Sequence, residues 1–294
     1  MLLGSLLTVL LCFVVLHVVA QQKQGDNFIP ISRNLGKSVV VDSTIATIWY
    51  ALNAKNIHDI NTYVDYQMLE VGGKISKYQS WFISNSEKIL AEWNHLHPHS
   101  GSVPTRLGPG GSKPDVWLQY QYSDFYIQSG QITEYACMPL HLERYNSRYT
   151  EDYPLQKWSI TTDTMTILNY ACQKATCNFR GRTYDAWFTT AIPIAQGPWK
   201  FGGLPGLILK VYDTKKIYVF EAVQIKNEKK PILRYEYTGY QVHPRQTVQN
   251  FQTKFAENYY KAIGWRKVTL LPDGNVQCGE SLSIETPYEP LEIE

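Results

Sequence analysis

The chain reads as a mainly β (α+β) protein, a curved antiparallel sheet or open half-barrel with one long covering helix near the C-terminus. Three observations predict this. Short alternating apolar runs follow one another through turn residues such as Gly72-Gly73, Ser129-Gly130 and Pro272-Asp273-Gly274-Asn275, and strands joined in that way form antiparallel meanders. Aromatic residues make up 13% of the chain, with 21 tyrosines and 8 tryptophans, which suits half-buried strands better than a helical bundle. A single stretch keeps a long helical period: after Pro244, Val248, Phe251, Phe255, Tyr259 and Ala262 recur every three or four residues until Gly264. That apolar stripe needs a surface to cover, and a sheet face supplies one.

In chain order, residues 1–20 form an apolar run that resembles a secretory signal peptide with an A-x-A-like end at Val18 and Ala20, although neither Lys nor Arg precedes it. Residues 21–294 are then expected to form a single β-rich domain. A polar leader to residue 34 precedes strand composition at 38–41 and 46–52. Residues 63–71 and 74–82 read as a hairpin around Gly72-Gly73. Ser84 and Glu87 have capping-box spacing, and Ile89, Leu90 and Trp93 share one helical stripe, so a short helix is expected to end near Trp93. Glycines and prolines then crowd residues 95–114, which predicts a flexible loop. It carries His95, His97 and His99, a spacing able to bind a transition metal, but neither carboxylate nor cysteine stands near enough to complete a site; no metal is assigned. Strands resume at 116–122, 125–128, 132–138, 158–160 and 166–171. A hairpin is expected from 217–225 and 233–242, and a last one from 268–271 and 276–278, before an acidic tail along the surface.

The densest stretch is 170–213. Phe179, Thr183, Asp185 and Trp187 fall on one face of a strand pattern, Arg180, Arg182, Tyr184 and Phe188 on the other, and Gly181 reads as a bulge within that strand. Turn signals follow, ending in Gly203-Leu204-Pro205-Gly206-Leu207-Ile208. This is not a phosphate loop, because no Gly-Lys-Ser/Thr precedes a helix and the prolines remove amide donors. The glycines are expected to serve the backbone, with Pro198, Trp199, Phe201 and Pro205 pinning the turn. With Tyr170-Ala171-Cys172, Arg180-Gly181-Arg182, Ala186-Trp187-Phe188, Ile192-Pro193-Ile194 and Gly197-Pro198-Trp199-Lys200-Phe201, the hexapeptide resembles the signature of the GLPGLI family, envelope proteins of Bacteroidetes whose role is not established. The resemblance implies a periplasmic or outer-membrane-associated protein and carries over no catalytic residue.

Four cysteines follow the signal segment: Cys137, Cys172, Cys177 and Cys278. In an exported protein an even number predicts two disulfides, and because Cys172 and Cys177 are five apart on one strand, each needs a partner elsewhere; a four-thiolate zinc site, which the spacing fits poorly, and free thiols are the alternatives.

The net charge of +2, from 28 basic and 26 acidic residues, gives no footprint for nucleic acid. Arg180, Arg182 and Lys200, beside Trp187, have the chemistry to clamp an anionic headgroup or carboxylate; the plainer alternative pairs the cations with Asp185, Asp213 or Glu221. No G-x-S-x-G, H-E-x-x-H or catalytic cysteine signature occurs. The expectation is therefore a non-enzymatic protein, needing no cofactor, that binds a lipid or other apolar or amphiphilic ligand. Its alternatives are an accessory module with an outer-membrane protein partner, and a hydrolase whose site carries no recognisable motif.

Overall fold

The computed structural model describes residues 34–100, 106–107, 113–114, 122–139 and 141–294. The expected export signal, the leader to residue 33, residues 116–121 of an expected strand and parts of the 95–114 loop lie outside them.

The protein is mainly β. Strand β1 (Asn34–Leu52) is one 19-residue strand where composition suggests two pieces. Its first half pairs with β14 (Pro231–Glu236), and its second half lies between β2 (Asp65–Gly72) and β13 (Val219–Lys226). Covered on both faces, residues 46–52 are all buried: Ile48, Tyr50 and Leu52 enter one apolar cluster and Ala51 a second. The expected hairpin at Gly72-Gly73 joins β2 to β3 (Ile75–Ser80), which leads into α1 (Trp81–Leu96). There follow the short pair β4 (Arg106–Leu107) and β5 (Lys113–Pro114), then β6 (Ser123–Gln128), β7 (Gln131–Ala136), β8 (Ser147–Asp152), β9 (Ser159–Ile167), β10 (Tyr170–Phe179), β11 (Arg182–Thr189) and β12 (Leu207–Asp213). After β14 come β15 (Gln241–Val242), α2 (Arg245–Glu257), α3 (Tyr259–Ala262), β16 (Arg266–Leu270) and β17 (Val276–Ser281).

Thirteen strands make one sheet, in the order β15-β8-β7-β6-β3-β2-β1-β13-β12-β11-β10-β9 with β14 on β1. The sheet is mixed, because β15 runs parallel to β8, and it is open, with β15 and β9 at its ends.

Several expectations change. Gly181 is no bulge: Arg180 and Gly181, at φ 51° and 78°, form a two-residue turn between paired β10 and β11. Both residues of such a turn need positive φ, and Ser129-Gly130 and Leu168-Asn169 solve the same problem in the same way. Strands β13 and β14 form no hairpin, since they pair with opposite halves of β1. The cap of α1 is Ser80, whose Oγ accepts from the Ile83 amide at 3.1 Å, so Ser84 and Glu87 lie inside the helix, buried. The stripe of α2 includes the buried Gln249 and Gln252 between Val248 and Phe255.

No disulfide forms. Cys137 packs in the second cluster, Cys172 and Cys177 in the first, five residues apart along β10, and Cys278 is exposed on β17, so neither Cys172 nor Cys177 has the partner from Cys137 or Cys278 that a disulfide would need. The tail is not a surface strap throughout: Leu291 and Glu292 are 2% and 7% exposed.

Candidate functional site

Pairing of β7 with β8 sets Glu134 opposite Tyr149, and Glu151 follows two residues later on the same face. These are polar groups at core-facing positions. What makes their burial tolerable is an ammonium group delivered by the loop between β11 and β12. There Trp199 takes φ 52°, and with Trp199 and Phe201 both in the core, Lys200 is driven inward to 0% exposure. Its Nζ donates to Tyr149 Oη at 2.7 Å and to Glu292 Oε1, and lies 3.4 Å from Glu151 Oε1 and 3.7 Å from Glu134 Oε2. Tyr149 in turn donates to Glu134 Oε2 at 2.5 Å.

Two guanidinium groups complete the cluster. Arg180 binds Glu151 Oε2 at 2.7 Å and lies 3.4 Å from Glu292 Oε2, while Arg245 of α2 binds Glu292 Oε2 and stands 3.7 Å from Glu151. Gln249 donates to Glu292 at 2.5 Å; Gln252 and Ser123 donate to Glu134 Oε1 at 3.2 and 2.7 Å. Three carboxylates thus face three cations, and their remaining acceptor capacity is met by amides and hydroxyls. The cluster opens to solvent at one end: the side chains of Glu151, Arg180 and Arg245 keep about a fifth of their surface, against 4% for Glu292.

Burial pushes the Glu292 carboxyl up, but Lys200, Arg180 and Arg245 outweigh it and hold the group below the ordinary carboxylate value. Burial, with Glu134 and Glu292 close by, pushes Tyr149 well above the usual phenol range, so its hydroxyl keeps the proton it donates.

Of the four residues expected to touch a ligand, Arg180 and Lys200 meet in this cluster. Arg182 sits in an adjoining one, 3.8 Å from Asp213, 3.1 Å from Glu289 and donating to the Pro290 carbonyl at 2.6 Å. Trp187 projects from the other face of β11, cross-strand from Lys174 and Lys210. Asp185 and Glu221, considered as partners for the arginines, instead pair with Lys174 and Lys210. Glu134, Tyr149, Glu151, Arg245 and Glu292 were not singled out from sequence. The usable signal was polar residues at core-phase positions, Glu134 between Ile132 and Ala136 above all.

The hexapeptide Gly203, Leu204, Pro205, Gly206, Leu207, Ile208 is a turn followed by the start of β12. Gly203 has φ 81°, and a Cβ on Gly206 would lie 2.0 Å from the Thr189 carbonyl oxygen. Leu204, Leu207 and Ile208 are buried. His95 and His97 end α1, and the His97 ring stacks on Trp93 at 4.0 Å; among the described residues no group of His, Cys, Asp or Glu side chains is placed to hold a metal ion.

One family model matches the chain, described as N-glycanase peptide, N-terminal domain, over residues 122–243. No curated protein matches. Two solved structures of PNGF-II are similar. That in a C2 space group has 15% identity and a TM-score of 0.47 over 73% of this chain and 33% of its own; that in P21 has 14% and 0.46 over 73% and 34%. The chain therefore spans about a third of the length of those structures.

The family match corrects the GLPGLI resemblance, because it encloses the hexapeptide and belongs to a different family. The physical reason is plain: Gly203 and Gly206 answer local backbone demands, which any family with this turn shares. The non-enzymatic expectation falls with it, since the matched family is named for an enzyme.

Proposed function

We propose that this protein is a hydrolase of the N-glycanase type, acting on the link between an N-glycan and its peptide, with the Lys200 cluster as its working centre. The observation that carries the reading is that Glu134, Tyr149, Glu151, Arg180 and Lys200 converge on one another and all fall inside residues 122–243, the span of the N-glycanase match. Glu151 is the carboxylate with solvent access and takes the part of general base toward water. Arg180 beside it contacts the substrate, and Lys200, Tyr149, Glu134 and Glu292 hold Glu151 in place.

In this reading the sheet is a half-barrel whose open side α2 covers, supported by Val248 and Phe255 of α2 packing in the second apolar cluster. Residues 21–294 work as one domain in the periplasm or at the outer membrane after export by the apolar leader.

The test is glycan release from a denatured N-glycosylated protein by the purified chain. Release that falls by roughly 10²–10⁴ in Glu151→Gln, measured at a temperature where circular dichroism shows the variant still folded, is the expected result. A folded wild-type chain that frees no glycan overturns the proposal.

A further inference from the structure

Away from the charge cluster, a cavity of about 260 Å³ opens between the β6–β7 hairpin and β14. Tyr126, Gln128, Gln131, Thr133, Tyr135 and Arg234 line it. The lining is polar amide and hydroxyl with two phenol rings and one cation, and it includes no carboxylate. The volume lies below the roughly 300–1,000 Å³ of drug-sized sites, which limits an occupant to a single ring.

The walls are set before any ligand arrives. Tyr126 Oη pairs with Tyr237 Oη at 2.9 Å, and Tyr237 donates to Asp124 at 2.6 Å. The Tyr135 and Tyr237 rings stack at 3.7 Å, and Thr133 pairs with Thr150 at 2.8 Å. Gln128 and Gln131 face each other across the Ser129-Gly130 turn. Arg234 is exposed on β14 and has no ion-pair partner among the described residues.

Amides and hydroxyls around aromatic rings suit a hydroxylated ring, and a lone unpaired guanidinium suits a carboxylate on it. We infer that this cavity is a subsite for one carboxylated pyranose unit of an acidic glycan, with Arg234 on the carboxylate. The inference rests on the N-glycanase reading for its substrate class and adds which glycans are preferred.

Saturation-transfer NMR with the full chain and free 3′-sialyllactose, against lactose, tests it. Transfer to the sialic acid ring, roughly tenfold weaker binding of lactose, and loss of that difference in Arg234→Gln are expected. Gln131→Trp, a change at an exposed position that fills the mouth, is expected to abolish transfer. No transfer to sialyllactose, equal binding of the two sugars, or indifference to both substitutions overturns the inference. Because binding is read on free sugar, a chain that releases glycan but ignores sialyllactose overturns the subsite alone. One that binds sialyllactose but releases nothing overturns the hydrolase reading alone.

Discussion

Lys200 is fully buried, and its charge is tolerable because four oxygen-bearing groups surround it. Removing one partner of a buried ionic group costs more than the group contributes as a set, since the remaining charges keep their desolvation cost and lose their compensation. Lys200→Met should therefore destabilise the protein by about 3–5 kcal/mol in urea unfolding, well beyond an ordinary core substitution of similar volume. The same residues set an acid response. Glu292 is held below its ordinary value of 4.5 in the folded state, so the unfolded chain binds more protons there as the pH drops. Its contribution is complete above that ordinary value and is lost as pH falls through the lower folded value. Unfolding free energy measured from pH 6 downward should decline in that window, and Glu292→Gln should flatten the decline; an unchanged pH slope would show that Glu292 is not the group responsible.

At the level of elements, the two central glycines do different work and should respond differently to a methyl group. Gly203→Ala meets no atom closer than 3.4 Å and carries only the left-handed backbone cost, about 1–2 kcal/mol. In Gly206→Ala the new carbon lands 2.0 Å from the Thr189 carbonyl oxygen, so the β11–β12 connection must move, and the loss should exceed about 4 kcal/mol or prevent folding. Paired melting curves check the order; equal effects would mean that the β11–β12 approach is loose. Here the sequence was informative in part. The alternation along β11 put Arg182, Tyr184 and Phe188 on one face, which the structure buries, and turn residues marked the β2–β3, β6–β7 and β16–β17 hairpins but not β9–β10. The β10–β11 connection was misread because Arg180 at positive φ is unusual for a side chain of that size, and Gly181 alone looked like a bulge. The charge cluster was hidden for another reason. Glu134, Glu151 and Glu292 are remote in sequence, and nothing in one chain's spacing says that a lysine from the β11–β12 loop will meet all three. Gln249 and Gln252 bond buried carboxylates, and the apolar spacing of Val248, Phe251 and Phe255 on the same helix does not point to them.

Across the whole molecule, the last residues act as a fastener between parts of the sheet that are not neighbours. Ile293 donates to the Arg180 carbonyl at 3.0 Å, Leu291 accepts from Tyr184 Oη at 3.4 Å, and Pro290 accepts from Arg182. Glu292 joins Lys200, Arg180 and Arg245, thereby tying α2 to the β10–β11 turn and the β11–β12 loop. The β16–β17 hairpin makes the contrasting case, with every residue of both strands exposed. Removing residues 287–294 should therefore cost far more than replacing the exposed Val268 and Val276 with threonine, although both changes affect the same end of the chain. Without the tail, Lys200 and Arg182 each lose a carboxylate or carbonyl partner in a buried setting, and Leu291 leaves the first apolar cluster. Hydrogen exchange should then accelerate together in β8, β10–β11 and the start of α2, because one set of ions links them. If exchange rises only in the residues next to the cut, the fastener is local, and the stability of the charge cluster must come from β7, β8 and Lys200 alone.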